Sequence, residues 1–170
     1  MVRLYERTLL PRLLRRADWI ITSSEHLRDR HLISVRAKCS TITPGVDTSR
    51  FTPRTPPLTG QILFVGGVGP ADAHKGLDVL LDAFVLVAGS HPQARLRIAG
   101  GGDARARRQQ VADAGIADRV EFLGRLTQSE LRQAYAEADV VCLPTRNDSS
   151  PLVLLEAMAS GRPVVSTPVG

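Results

Sequence analysis

Asp148-Ser-Ser-Pro-Leu-Val-Leu-Leu-Glu156, followed by Ala157-Met-Ala-Ser-Gly-Arg-Pro-Val-Val165, decides how the rest of this chain is read. Just upstream, Val140-Val-Cys-Leu143 reads as a buried strand entering a polar loop, Pro144-Thr-Arg-Asn-Asp148. Ser150 is a good helix N-cap, and Pro151 suits the first helical position, where its missing N–H costs nothing. The free amides of Leu152 and Val153 then point out of the helix end and, with the positive end of the macrodipole, suit a phosphate anion. Asp148 and Glu156, with seven residues between them, flank that end. A strand, a polar loop and a helix start bracketed by carboxylates suit a sugar carrying a diphosphate: amides for the anion, acids for hydroxyls.

The same alternation extends back to Gln61. Ile62–Val65, Leu96–Ala99, Val120–Leu123, Val140–Leu143 and Pro163–Ser166 are short apolar runs that read as buried strands. Between them, Lys75 to Ala88 has helical spacing, with Leu77, Leu80, Leu81, Phe84, Val85 and Ala88 on one stripe. Asp103 is the expected cap of a helix reaching about Ala114, and Thr127-Gln-Ser-Glu130 has capping-box spacing. Strict β–α alternation predicts an α/β fold: a doubly wound parallel sheet covered on both faces, with ligands at the carboxyl ends of its strands.

Upstream, residues 2–16 read as a helix, Trp19–Thr22 as a strand, Ser23 or Ser24 as the cap of a helix to about His31, and Ser40–Thr43 as a short strand. Four prolines and two glycines between Pro44 and Gly60 leave no room for a regular element there. The expected organisation is a fragment of a second Rossmann-like domain over 1–50, a linker over 51–60 and the main domain over 61–170.

Apolar content of 43% and a mixed-sign surface indicate a globular protein. No run approaches the ~20 apolar residues of a membrane span, and the N-terminus lacks the apolar core of a secretory signal. Cys39 and Cys142 form no disulfide or metal pattern, which points to a reducing, cytoplasmic setting. Residues 1–50 hold ten of the basic residues against five acids, whereas the remainder is balanced at twelve each. Arg3, Arg7, Arg12, Arg15 and Arg16 beside Leu4, Leu9, Leu10, Leu13 and Leu14 fit a basic amphipathic helix on the inner face of a membrane. The commoner reading of such a pattern is a helix whose leucines pack on a neighbouring layer. Aromatics at 4% do not interleave with the cations, which argues against nucleic acid.

Two further loops leave strand ends: Gly66-Gly-Val-Gly-Pro-Ala-Asp-Ala-His-Lys75 and Gly100-Gly-Gly-Asp103. Gly66, Gly67, Gly101 and Gly102 permit close backbone approach to a ligand, or simply a tight turn. A helix-end dipole contributes roughly 0.3–1 kcal/mol at an exposed site, so a diphosphate also needs a cation. Lys75 is the candidate, because a lysine at a predicted helix start is unfavourable for the helix itself. The alternative is an ordinary solvated lysine. Glu156, by spacing alone, falls slightly in favour of the solvent face of its helix. His74 is a candidate ligand contact, although it stands where a phosphate-binding Walker loop needs glycine. Arg105 likewise replaces the third glycine of a dinucleotide fingerprint.

As an ordered set, Phe64-Val-Gly-Gly67 with His74-Lys-Gly76, Ile98-Ala-Gly-Gly-Gly-Asp103, Asp118-Arg-Val-Glu-Phe-Leu-Gly124, Ala138–Pro144 and Pro151–Val165 resemble the C-terminal, donor-binding domain of retaining glycosyltransferases of family 4. Those enzymes have the two-domain GT-B fold. Ala17–Ser24 and Pro44–Phe51 resemble that family's crossing from its N-terminal domain. The resemblance implies that Glu156 holds the nucleotide ribose, that Asp148, usually a glutamate, orients the transferred sugar, and that Lys75 neutralises the diphosphate. It also implies an arginine just after the first strand, where this chain has Gly67.

The implied activity is transfer of a glycosyl unit from a nucleoside diphosphate sugar to a hydroxyl on a glycan, lipid or small molecule, with retention of configuration. No cofactor or metal is implied. Since the acceptor-side domain is represented only by its last fifty or so residues, the alternative is a non-catalytic nucleotide-sugar-binding module or an inactive fragment.

Overall fold

The computed structural model describes residues 9–169. The expected helix over 2–16 and the basic residues Arg3 and Arg7 therefore fall partly outside the described residues. The chain separates into two compact units, with the boundary between Pro44 and Gly45.

The first unit contains α1 (Leu10–Arg16), β1 (Ile20–Thr22), α2 (Glu25–His31), a 3-10 segment (Ile33–Lys38) and β2 (Cys39–Thr41). β1 and β2 run parallel, with Ile20 opposite Cys39. Ser24 caps α2 as its sequence suggests, its hydroxyl oxygen accepting from the Leu27 amide at 3.1 Å. Lys38 donates to the carbonyls of Arg15 and Ala17 at 3.1 and 2.9 Å, satisfying carbonyls left open at the end of α1.

The second unit carries β3 (Gln61–Val65), α3 (Leu77–Ser90), β4 (Arg95–Ala99), α4 (Arg105–Asp113), β5 (Val120–Gly124), α5 (Gln128–Glu137), β6 (Val140–Leu143), α6 (Leu152–Ala159) and β7 (Val164–Ser166). All neighbouring strands are parallel, in the order β5-β4-β3-β6-β7. Successive strand residues face opposite sides. Phe64 thus packs with Leu80, Leu81 and Phe84 of α3 and Val111 of α4, while Leu63 packs with Ala134 and Tyr135 of α5 and Ala157 of α6. Phe64, Leu96 and Ile98 are completely buried, each contributing roughly 1.5–3 kcal/mol of transfer free energy. Burial on both faces is what continuous apolar strands require, so the doubly wound sheet is the observed fold. The order reverses at β3, whose chain leaves toward β4 while β6 lies on its other side. That switch point places the loops after β3, β4 and β6 around one crevice.

Three local expectations change. Thr127 and Glu130 form the complete capping box, but Asp103 is not the cap of α4. The helix starts at Arg105, and the Asp103 carboxylate instead accepts from the Arg105 amide and guanidinium. Ser150 does not cap α6 either: Pro151 occupies the cap position with no side-chain bond. Finally, residues 51–60 are not a free spacer. Phe51 is buried edge-on against Tyr135, with ring centroids 5.9 Å apart. The Asp139 carboxylate gathers the amides of Leu58, Gly60 and Gln61.

Arg162, only 2% exposed, completes this fastening. Its guanidinium donates to the carbonyls of Ser160 and Ala138 at 3.2 and 2.8 Å and to that of Arg54. Its charge is dispersed over backbone dipoles, and those carbonyls would lose their donor with it. Arg162→Met should therefore lower unfolding free energy by about 3 kcal/mol, read as a fall in the urea midpoint. Residue 54 should become the earliest amide region to exchange with solvent.

Candidate functional site

The crevice is assembled by backbone contacts between the loop after β3 and the loop after β6. Pro70–Lys75 forms a 3-10 segment that ends at Gly76 in the left-handed region (φ 74°). A β-carbon on Gly76 would lie 1.9 Å from the carbonyl oxygen of Pro144, so only glycine lets the two loops touch. Thr145, 1% exposed, donates to the His74 carbonyl at 3.0 Å. The Arg146 amide donates to that same carbonyl at 2.7 Å, and its guanidinium reaches the Ala73 carbonyl at 3.0 Å. Arg146 also forms a two-pronged pair with Asp78 in the first turn of α3, at 2.8 and 2.7 Å.

This stitching brings Lys75 to Asp148, with Nζ 2.5 Å from Oδ2. The two side chains are 24% and 14% exposed. Such a partly shielded pair contributes about 1 kcal/mol net once desolvation and side-chain ordering are subtracted. Lys75 lies in the last turn of the 3-10 segment rather than in the first turn of α3. The helix-dipole argument against it does not apply in this position.

Glu156 does not join that pair. It is the fifth residue of α6, about 6 Å along the axis from the helix start, and its Oε2 accepts from the Tyr135 hydroxyl at 2.8 Å. It is half-buried against α5 rather than on the solvent face that spacing alone favoured. Tyr135 is fully buried, and burial together with the adjacent carboxylate holds its phenol protonated far above the ordinary range. The hydroxyl is thus a permanent donor to Glu156. The amides of Leu152 and Val153 sit in the first turn of α6, where no intrahelical partner exists.

The glycines divide. Gly66 and Gly67 line a cavity of about 250 Å³ at the ends of β3 and β4, with Val65, Ala99, Leu126, Leu131 and the guanidinium-bearing Arg125. Gly101 and Gly102 lie in close loop packing. A β-carbon on Gly102 would meet the Gly69 amide at 2.7 Å, and one on Gly101 the Arg125 Nε at 3.3 Å. At Gly67, where an arginine was implied, a β-carbon would lie 2.1 Å from Asp72 Oδ2. The Asp72 carboxylate therefore lies where the first side-chain carbon of that arginine would be.

Sequence reasoning missed Arg125, Tyr135, Asp72, Thr145 and Arg146. Tyr135 falls on the apolar stripe of its helix, and the position of Arg125, directly after a strand end in a parallel sheet, was the available signal. Cys142 is half-buried on β6, and burial pushes its thiol up, consistent with an inert side chain.

A family model described as "Glycosyl transferases group 1" matches residues 59–170. The chain belongs to that family. The D-inositol 3-phosphate glycosyltransferase of Corynebacterium urealyticum is 34% identical over 157 residues, covering 81% of this chain and 37% of that protein. The chain thus spans little more than a third of this curated relative. Among solved structures, sucrose-phosphate synthase from Thermosynechococcus elongatus matches with a TM-score of 0.81 at 28% identity, over 95% of this chain and 43% of that one. The pneumococcal O-GlcNAc transferase GtfA, solved with UDP and GlcNAc, has the same fold at TM-score 0.76 and 20% identity, over 98% of this chain and 32% of its own. The five-stranded parallel sheet of this chain is that of the GT-B fold.

The Arg146–Asp78 pair makes the loop junction sensitive to acid. Hydrogen bonding from Arg146 holds the Asp78 carboxyl at about 2, below its ordinary 3.8. Its stabilising contribution is complete above pH 3.8 and disappears as pH falls through about 2. Asp78→Asn should therefore lower the urea midpoint at pH 6 while flattening its decline between pH 4 and 2.

Proposed function

We propose that this chain binds a nucleoside diphosphate sugar at the β3–β6 crevice and forms the donor half of a glycosyltransferase. The reaction is transfer of the glycosyl unit to a hydroxyl of a glycan, lipid or small molecule with retention at the anomeric carbon. The observation that carries the reading is the Lys75–Asp148 pair beside the α6 N-terminus. On this reading a cation, open helix amides and an acid serve one ligand at the sheet's switch point.

On this reading the diphosphate takes Lys75 from Asp148 and uses the Leu152 and Val153 amides. Asp148, released, accepts from hydroxyls of the sugar and orients it. Glu156, held by Tyr135, accepts from the ribose hydroxyls, and the cavity beside Val65, Leu126 and Leu131 takes the base. As the glycosyl–oxygen bond breaks, negative charge accumulates on the departing diphosphate. Lys75 and the helix amides stabilise it without reorganising, which is the principal catalytic device available here. The nucleotide-sugar pool of the cytoplasm is the corresponding setting, with the basic N-terminal segment available for anionic membrane contact.

Asp72 against Gly67 favours a second reading, a binding module without turnover, because that acid opposes charge development on the diphosphate. Calorimetry with UDP, GDP and ADP tests donor binding directly. One nucleotide should bind in preference to the others. Lys75→Ala and Glu156→Ala should each weaken it at least about tenfold, and Asp72→Asn should tighten it. Equal affinity in Lys75→Ala and the parent chain would remove the proposed diphosphate site. Binding without glycosyl transfer across varied donors and acceptors by a chain extended to the relatives' length would favour the module.

A further inference from the structure

A second basic cavity lies away from the crevice. It occupies about 160 Å³ between the segment Arg50–Arg54 and helix α5. Three arginines line it: Arg50, Arg54 and Arg132, together with Thr52, Ser129 and Gln133, and no acidic residue is among its walls. Arg50 is partly engaged, with Nε 3.1 Å from Asp47 Oδ2 and Nη1 donating to Gln128 at 3.1 Å. The guanidinium groups of Arg54 and Arg132 form no ion pair or hydrogen bond among the described residues. Gathering three like charges around one concavity is unfavourable by itself, and the two acids of α5 are committed elsewhere. Glu130 is closed into its capping box, and Glu137 accepts from Arg97 and Gln133.

The frame that holds these side chains is rigid. The Arg54 carbonyl is gripped by buried Arg162 and its amide donates to the Ser160 carbonyl at 3.3 Å. Phe51 is anchored on Tyr135, and Arg132 rises from the middle of a capped helix. The cations are therefore presented by a built wall and not by a loose loop. Guanidinium forks match the tetrahedral oxygens of phosphate in pairs, and the Thr52 and Ser129 hydroxyls add short donors.

We propose that this cavity is a phosphate-binding site, distinct from the donor crevice, that takes inorganic phosphate or the phosphate of a small phosphomonoester. Its position on the outer side of α5, the helix whose Tyr135 holds Glu156, connects its occupancy physically to the crevice. A bound anion ties the Arg50–Arg54 segment to α5, and so braces the element that carries Tyr135.

The test is titration of the full 170-residue chain with inorganic phosphate and, separately, glycerol phosphate, followed by calorimetry and amide NMR at constant ionic strength. Saturable binding should perturb the amides of Thr52, Ser129 and Gln133. Arg132→Gln and Arg54→Gln, placed on different elements, should each weaken binding about tenfold or more, with amide spectra otherwise retained. Lys75→Ala should leave it unchanged. Glycerol phosphate binding as tightly as phosphate identifies a phosphomonoester, and phosphate binding alone identifies the free anion. Absence of saturable binding overturns the proposal, as does binding that survives both arginine substitutions or is lost in Lys75→Ala. Because that control reads the donor crevice separately, failure of nucleotide binding there would not be mistaken for failure here.

Discussion

The geometry of the candidate site depends on one close backbone approach, that of Gly76 beneath the Pro144 carbonyl. The contact lets the loop after β3 lie against the loop after β6, and Thr145 and Arg146 then fasten them through the carbonyls of His74 and Ala73. Nothing larger than glycine fits, and the φ of 74° is one that other residues adopt only at a cost. Without this junction the lysine and the acid it meets would lie on separate loops of the sheet edge.

Underneath that junction, the sheet supplies position and the helices supply stiffness. Strands buried on both faces hold their register because slipping by one residue would exchange Phe64 and Leu63 between two differently packed layers. The connector from Gly45 onward is drawn into the same body. Phe51 enters the core, Asp139 collects three amides and Arg162 collects three carbonyls, so polar groups on an irregular segment are satisfied by a half-buried carboxylate and a buried guanidinium instead of by a ladder.

Much of this was legible in the residues. Five apolar runs separated by helical stripes can hardly do other than form a parallel layer, and Thr127 with Glu130 announced its own helix start. Asp148, Lys75 and Glu156 could be nominated because their types and spacing matched a recognisable set of motifs. Other features depended on distances that sequence does not express. The direction of Glu156 is set by Tyr135, twenty-one positions earlier, whose hydroxyl is indistinguishable from core when read along a stripe. Ser150 looked like a cap, yet Pro151 takes that position because its extended conformation already ends the loop. The prolines of residues 51–60 spoke for a spacer, and one aromatic ring among them decided otherwise. Asp72 at Gly67 was invisible for the same reason: five positions of separation say nothing about a turn that folds one onto the other.

The pairing of Lys75 with Asp148 gives the crevice an internal counter-ion. Recognition there becomes an exchange and not a simple capture. A solitary anion can win the ammonium only by stranding a carboxylate, whereas a molecule that brings hydroxyls as well rehouses both partners at once. Arg54 and Arg132, with no such companion among the described residues, impose no comparable condition on what they accept. Selectivity for a composite ligand can thus arise from a contact that the ligand must first undo.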